Sequence, residues 1–281
     1  MRKPSPFIKA RTHDLSISPS LTGLCIGYEL KKWRAPQFAD HVMEWLPEFS
    51  LSYTELQQVD ASNMVALMRA AARSIYKSEK FQLRGEFGEL FLHAAIRQIF
   101  DSVPAISKIY YKTARNDTVK GFDAVHVVAA ERGLELWLGE TKFYKSIDRA
   151  IRDVATELRD HTERDYLRDE FIAITNKIPP EWPHAHELKQ LLDPNQSLDT
   201  IFNRVCIPVL LAYDSPCISS HTADCKQYRE DFDKEVRANY QKFCSQPIPE
   251  NVFIHLFLLP LETKKELIAL LDAKLKVWQQ L

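Results

Sequence analysis

Several things are scarce or missing in this chain of 281 residues, and each absence excludes something. No apolar run is long enough to cross a bilayer, so no membrane span is expected. Met1-Arg2-Lys3-Pro4-Ser5-Pro6 is followed by no apolar stretch, which speaks against a secretory signal and for a cytoplasmic protein. The five cysteines are odd in number and scattered, unlike a disulfide framework. Charge of one sign is lacking too. A net charge of −1 excludes a protein that coats nucleic acid by charge alone, though not an enzyme with a local basic groove. No Gly-x-Ser-x-Gly elbow supports an α/β-hydrolase. No G-x-x-x-x-G-K-[ST] loop supports an ATPase. Internal repeats and low-complexity tracts are absent.

The hydrophobic share of 45% and charged share of 27% are those of a globular protein. Residues 1–78 read as an N-terminal α+β region with a partner or regulatory role. It holds a strand over 21–30 and helices over 36–47 and 62–77. Residues 79–281 read as the main domain. Phe87, Leu90, Phe91, Ala94 and Ala95 recur at helical spacing over 83–100. Strands are expected over 107–112, 122–129 and 134–143, with Glu131-Arg132-Gly133 as a turn. A charged helix over 146–162 follows. Near-continuous apolar runs over 205–213 and 252–259 suit strands buried on both faces, although Pro208 hints at an edge or bulge. A helix closes the chain over 262–281. The fold class is α/β, a central mixed β-sheet flanked by helices.

The hairpin over 122–143 is the informative part. Side chains alternate faces along a strand. Leu134, Leu136, Leu138, Glu140 and Lys142 therefore share a face, and so do Asp123, Val125 and Val127. An even loop between Ala130 and Gly133 puts Asp123 opposite Glu140 or Lys142 and joins the two stripes. An odd loop breaks that parity. Charges that end an apolar stripe need partners. A divalent ion with oxygen ligands, Mg²⁺ or Mn²⁺, would relieve the repulsion of two carboxylates. It would also activate a water for attack on a phosphate, with Lys142 orienting or deprotonating that water or neutralising the transition state. A plain ion pair of Lys142 with Asp123 or Glu140 fits the spacing as well.

Glycine is rare, yet five of the seven (Gly85, Gly88, Gly121, Gly133, Gly139) lie between 85 and 139. Gly88 and Gly139 interrupt a helix and a strand at some cost. Either close backbone approach near a site or ordinary helix–sheet crowding would explain them.

A helix with Gly-Glu, a strand with Asp, a strand with Glu-x-Lys and a further helix together resemble the PD-(D/E)xK nuclease superfamily. The segments RGEFGELFLHAAIRQIF (84–100), GFDAVHVV (121–128) and LELWLGETKFYKSIDRAIRD (134–153) resemble more narrowly HamA, the nuclease family of bacterial Hachiman anti-phage defence. The resemblance implies a restriction-endonuclease-like core and metal-dependent cleavage of DNA phosphodiesters. Asp123 and Glu140 would be the metal ligands and Lys142 the lysine of the motif. Phe122 stands where the motif usually has proline. Glu89 would be the acid of the first core helix, with Glu86 as its rival. A helicase partner, HamB, is implied. A non-cleaving regulatory or scaffold subunit is the alternative, and an RNase of the same chemistry is not distinguished by sequence.

Lys145, near the start of the helix after the Glu-x-Lys strand, is a candidate DNA contact, as are Lys112, Arg115 and Lys120 in a modestly basic segment. Arg149 and Arg152 could grip phosphates or simply pair with Asp148 and Asp153. Cys217, His221 and Cys225 have C-x₃-H-x₃-C spacing but lack a fourth zinc ligand. His93, one turn after Glu89, either faces the site or lies on the solvent side of its helix.

Overall fold

The computed structural model describes residues 3–75, 85–106, 121–131 and 133–281. Its centre is a seven-stranded sheet in the order β1-β2-β9-β8-β7-β6-β5. The strands are β1 (Lys9–Asp14), β2 (Ser20–Cys25), β5 (Val103–Ile106), β6 (Ala124–Ala130), β7 (Gly133–Phe143), β8 (Val205–Asp214) and β9 (Phe253–Leu261). The pairs β2–β9, β9–β8 and β8–β7 are parallel, and the outer pairs are antiparallel. The sheet is therefore mixed, as the sequence reading expected. A small ribbon of β3 (Tyr28–Glu29) and β4 (Lys32–Trp33) stands apart. Residues 1–78 contribute β1 and β2 to the same sheet as the rest of the chain. The strand expected over 107–112 lies outside the described residues.

Helices cover both faces. On one face α5 (Glu86–Phe100) lies across β6, β7 and β8. Behind it pack α1 (Ala35–Glu44), α2 (Leu46–Ser50), α4 (Met64–Ile75) and the C-terminal helix α12 (Lys264–Gln279), beside the short α3 (Tyr53–Gln57). On the other face α6 (Ile147–His161) covers β7 and β8, and α11 (Lys226–Cys244) covers β1 and β2. The remaining helices are α7 (Arg164–Lys177), α8 (Ala185–Leu191), α9 (Leu198–Phe202) and α10 (Pro216–Ser220).

The apolar runs behave as their composition requires. From Val205 to Tyr213 every residue of β8 is buried, and so is β9 after Phe253. Pro208 marks neither an edge nor a bulge, because β8 is a central strand in constant register. Its ladder with β7 skips Ile207 and Pro208, resuming at Glu140 opposite Val209. A residue without an N–H is tolerated at such a gap.

Two glycines set the distance between α5 and β7. A Cβ on Gly139 would lie 2.5 Å from Leu92 and 3.0 Å from Ala124, and one on Gly88 would lie 3.3 Å from Phe143 and Thr141. At each point the glycine makes room for side chains of the facing element, Leu92 over Gly139 and Thr141 and Phe143 beneath Gly88, so α5 is pressed onto the strand that carries Glu140 and Lys142.

Candidate active site

The hairpin has an even loop. Ala130 pairs with Gly133 and the ladder runs without a bulge to Ala124 opposite Gly139. The Asp123 N–H then donates to the Gly139 carbonyl at 2.7 Å, which leaves Asp123 facing Glu140. Strand alternation puts Glu140 and Lys142 on the α6 face, while Asp123, one residue before β6, turns its carboxylate to Thr141 at the strand edge. Glu140 is 2% exposed and Lys142 9%. Two antiparallel strands thus end an apolar stripe in two carboxylates and an ammonium.

Each of these groups has protein partners. One Asp123 carboxylate oxygen accepts from the Thr141 N–H and from the Thr141 hydroxyl, both at 2.9 Å. Glu140 binds His161 Nδ1, at the end of α6. The Lys142 ammonium donates to Glu157, one helical turn earlier, and to the Thr141 carbonyl at 3.2 Å. The ion pair of Lys142 is therefore made with α6, not with Asp123 or Glu140. Phe122 and Tyr166 pack on the His161 ring, Tyr166 stacked at 4.5 Å.

Titration follows from this geometry. Burial pushes the Glu140 carboxyl up to about 7, and Asp123 adds to the rise, against the pull of His161 and Lys142. Burial works against the charge on Lys142, but its bond to Glu157 and the nearby Glu140 and Asp123 outweigh that and raise its pKa. His161 is likewise raised, burial being overcome by Glu140.

A cavity of about 590 Å³ opens beside the strand ends. Glu89, Asp123, Lys142, Lys145, Arg149 and Lys264 are among the residues that line it. Glu89 is buried and reaches this cavity from α5, on the opposite face of the sheet from Glu140. Glu86, its rival, does not line it. Lys145 is exposed at the rim. Arg149 lies 3.5 Å from Asp153 and over the Tyr144 ring. Lys112, Arg115 and Lys120 lie outside the described residues.

Among the described residues no three His, Cys, Asp or Glu side chains converge to hold a metal ion by themselves. Two facing carboxylates are nonetheless what a magnesium-type ion takes from protein, the remaining positions going to water and substrate phosphate. The rise of the Glu140 pKa comes first from burial and then from Asp123, and a cation would relieve that second, repulsive part. The donor set fits a hard divalent ion. The Cys217, His221 and Cys225 spacing binds nothing in common: Cys217 is buried, Cys225 caps α11, and His221 bonds back to the Cys217 carbonyl.

His93 faces neither solvent nor the site. It is buried between His126 and the Glu48 carboxylate, at 3.2 and 3.1 Å, and Arg97 grips the same carboxylate. Sequence reading also missed Glu157, His161 and Lys264. Glu157 and His161 had a visible signal. They extend the stripe of Val154 and Leu158 at helical spacing, so the apolar face of α6 ends in charge as that of β7 does. Lys264 had none, being far from the motifs in sequence.

The fold and site define an α/β protein with paired carboxylates and a lysine at the end of two antiparallel strands in a mixed sheet. The HamA family profile matches residues 5–275, and the chain belongs to this family of anti-phage defence proteins. It is 26% identical over 258 residues to Anti-bacteriophage protein A of Escherichia coli (strain K12), a match that covers 89% of this chain. It spans 46% of the length of that relative. Among the described residues no helix is long and apolar enough to cross a membrane.

Proposed function

We propose that this chain is a divalent-metal-dependent nuclease that hydrolyses DNA phosphodiester bonds in anti-phage defence. The observation that carries the reading is the in-register facing of Asp123 and Glu140 with Lys142 beside them. Asp123 and Glu140 would hold Mg²⁺ or Mn²⁺, which when bound supplies an activated water and stabilises charge on the phosphate. Asp123 is oriented for this by Thr141. Glu140 must be ionised, and a nearby cation favours that form. Lys142, kept charged by Glu157, serves as a fixed positive group for the phosphate in the transition state rather than as a base. Glu89 lines the same cavity from α5, where it would steer water or a second ligand. The family resemblance adds a helicase subunit, HamB, as the partner that supplies the motor.

The experiment is cleavage of plasmid DNA with Mg²⁺ by the parent, Glu140→Ala and Lys142→Ala, each shown to be folded, with EDTA as control. Metal-dependent cutting by the parent and at least about a hundredfold loss in both variants is expected, the scale of losing a charge-stabilising group. Equal cutting by all three ends the proposal. A non-cleaving scaffold is the second reading. It draws on the observation that Glu140 and Lys142 are already paired with α6, and it predicts no cutting under any condition.

A further inference from the structure

The part of the cavity wall formed by Lys264 and Lys145 has an imbalance of charge. Lys264, the first residue of α12, sends its ammonium to the Phe143 carbonyl and lies 4.7 Å from the centre of the Phe143 ring. Lys145 lines the same cavity: burial lowers the Lys264 pKa most, the Asp214 charge pulls it back up, and the Lys145 charge pushes it down. Among the described residues neither ammonium has a carboxylate partner. Asp214 lies near both, but its oxygen accepts from the Lys264 backbone N–H and forms no ion pair with either lysine. The other basic groups of the cavity differ: Lys142 has Glu157, and Arg149 has Asp153.

Among the described residues Asp214 is the one carboxylate whose charge acts on both ammonium groups, so two positive charges share one negative charge and the cluster keeps a net positive charge. The position of Lys264 adds to this, because a cation at a helix N-terminus opposes the helix dipole. The capped first turn of α6, with Ser146 and Arg149, opens on the same cavity and makes its potential more positive. All these terms reverse sign when an anion enters. An ammonium that spends one donor on a carbonyl keeps others for an incoming oxygen.

We infer that Lys264 and Lys145 form a seat for a backbone phosphate of a nucleic-acid strand, next to the phosphate that faces Asp123 and Lys142. The inference rests on the nuclease reading for the placement of the strand, but not for the binding itself. Lys264 and Lys145 are positioning residues. They would hold the strand along the cavity, from the rim at Arg149 to the carboxylates.

Binding without divalent metal tests this apart from cleavage. A labelled DNA duplex is titrated with the full chain in EDTA over a range of salt concentrations. The slope of log K against log salt counts the phosphates neutralised. Lys264→Met and Lys145→Met should each lower the magnitude of that slope by about one, and Lys264→Arg should keep it. Lys145 is exposed, so its variant will fold even if loss of the Lys264 bond to Phe143 disturbs α12. Unchanged slopes in both methionine variants, or a parent that binds no duplex at low salt, overturn the inference. A parent that never cuts DNA but shows the slope changes sinks the nuclease reading and leaves the seat standing.

Discussion

Glu157 takes the ammonium of Lys142 across the gap between α6 and β7. One turn further on, His161 takes Glu140. The two pairs fit for a simple reason. Four residues of helix advance about 6 Å, and two residues of strand advance about 6.6 Å. An antiparallel helix laid on the strand therefore meets both side chains in step. This grid neutralises the buried charges of the site when no cation is bound.

Removal of the Glu157 carboxylate should uncouple the grid. In Glu157→Gln, Lys142 loses the strongest influence raising its pKa and becomes easier to deprotonate. Breaking a fully buried pair costs about 3–5 kcal/mol. The side chain of Glu157 is 39% exposed and partly screened, so about 1–2 kcal/mol is expected here. The urea unfolding midpoint measures it. A midpoint equal to that of the parent would mean that the pair contributes nothing.

The pH dependence of the Glu140 contribution has a definite sign. Its folded pKa, about 7, lies above the ordinary 4.5. Its contribution to stability in the metal-free protein is complete below about 4.5 and is lost as pH rises through about 7. Cation binding needs the ionised form, so it should release close to one proton below that pH and progressively fewer above it. Calorimetry with Mn²⁺ in buffers of different ionisation enthalpy reads the proton count. No proton release at acidic pH would contradict the assignment.

The glycine contacts predict two unlike outcomes. Gly139→Ala drives a methyl group against Leu92 and Ala124 and should cost about 1–3 kcal/mol by overpacking. Gly88→Ala meets only a tight contact at 3.3 Å and gains up to about 1 kcal/mol of helix propensity, so it should be close to neutral. Thermal unfolding of the two variants checks the order.

Glu48 ties α2 to α5. Burial alone would raise its pKa, but bonds from His93 and Arg97 leave its carboxyl well below the usual range. It adds stability above the ordinary 4.5, and this is lost as pH falls through the depressed value. Glu48→Ala leaves Arg97, 5% exposed, without its carboxylate and should cost about 3–5 kcal/mol. Hydrogen exchange should show α5 losing protection first. Unchanged protection would mean that the network is not a tie.

The strand and helix pattern was largely legible because the signals were local. The hairpin over 122–143 was legible, but its parity was left open until Ala130 was seen to pair with Gly133; the apolar runs marked β8 and β9. What was not legible is non-local. Pro208 reads as an edge or bulge residue in isolation, and only the gap in its ladder with β7 explains it. His93 reads as either a site-facing or a solvent-facing residue until β6 and α2 are seen to close over it. Lys264 reaches the cavity only because α12 starts beside the end of β7. The union of β1 and β2 with the main sheet depends on β9, which comes more than 200 residues later.

The most direct test is a crystal grown or soaked with Mn²⁺ and measured at the manganese absorption edge. A single anomalous peak between the Asp123 and Glu140 carboxylates, with His161 turned away from Glu140, is predicted. A well-ordered site in which Glu140 stays on His161, with no peak beside either carboxylate at saturating Mn²⁺, would contradict it.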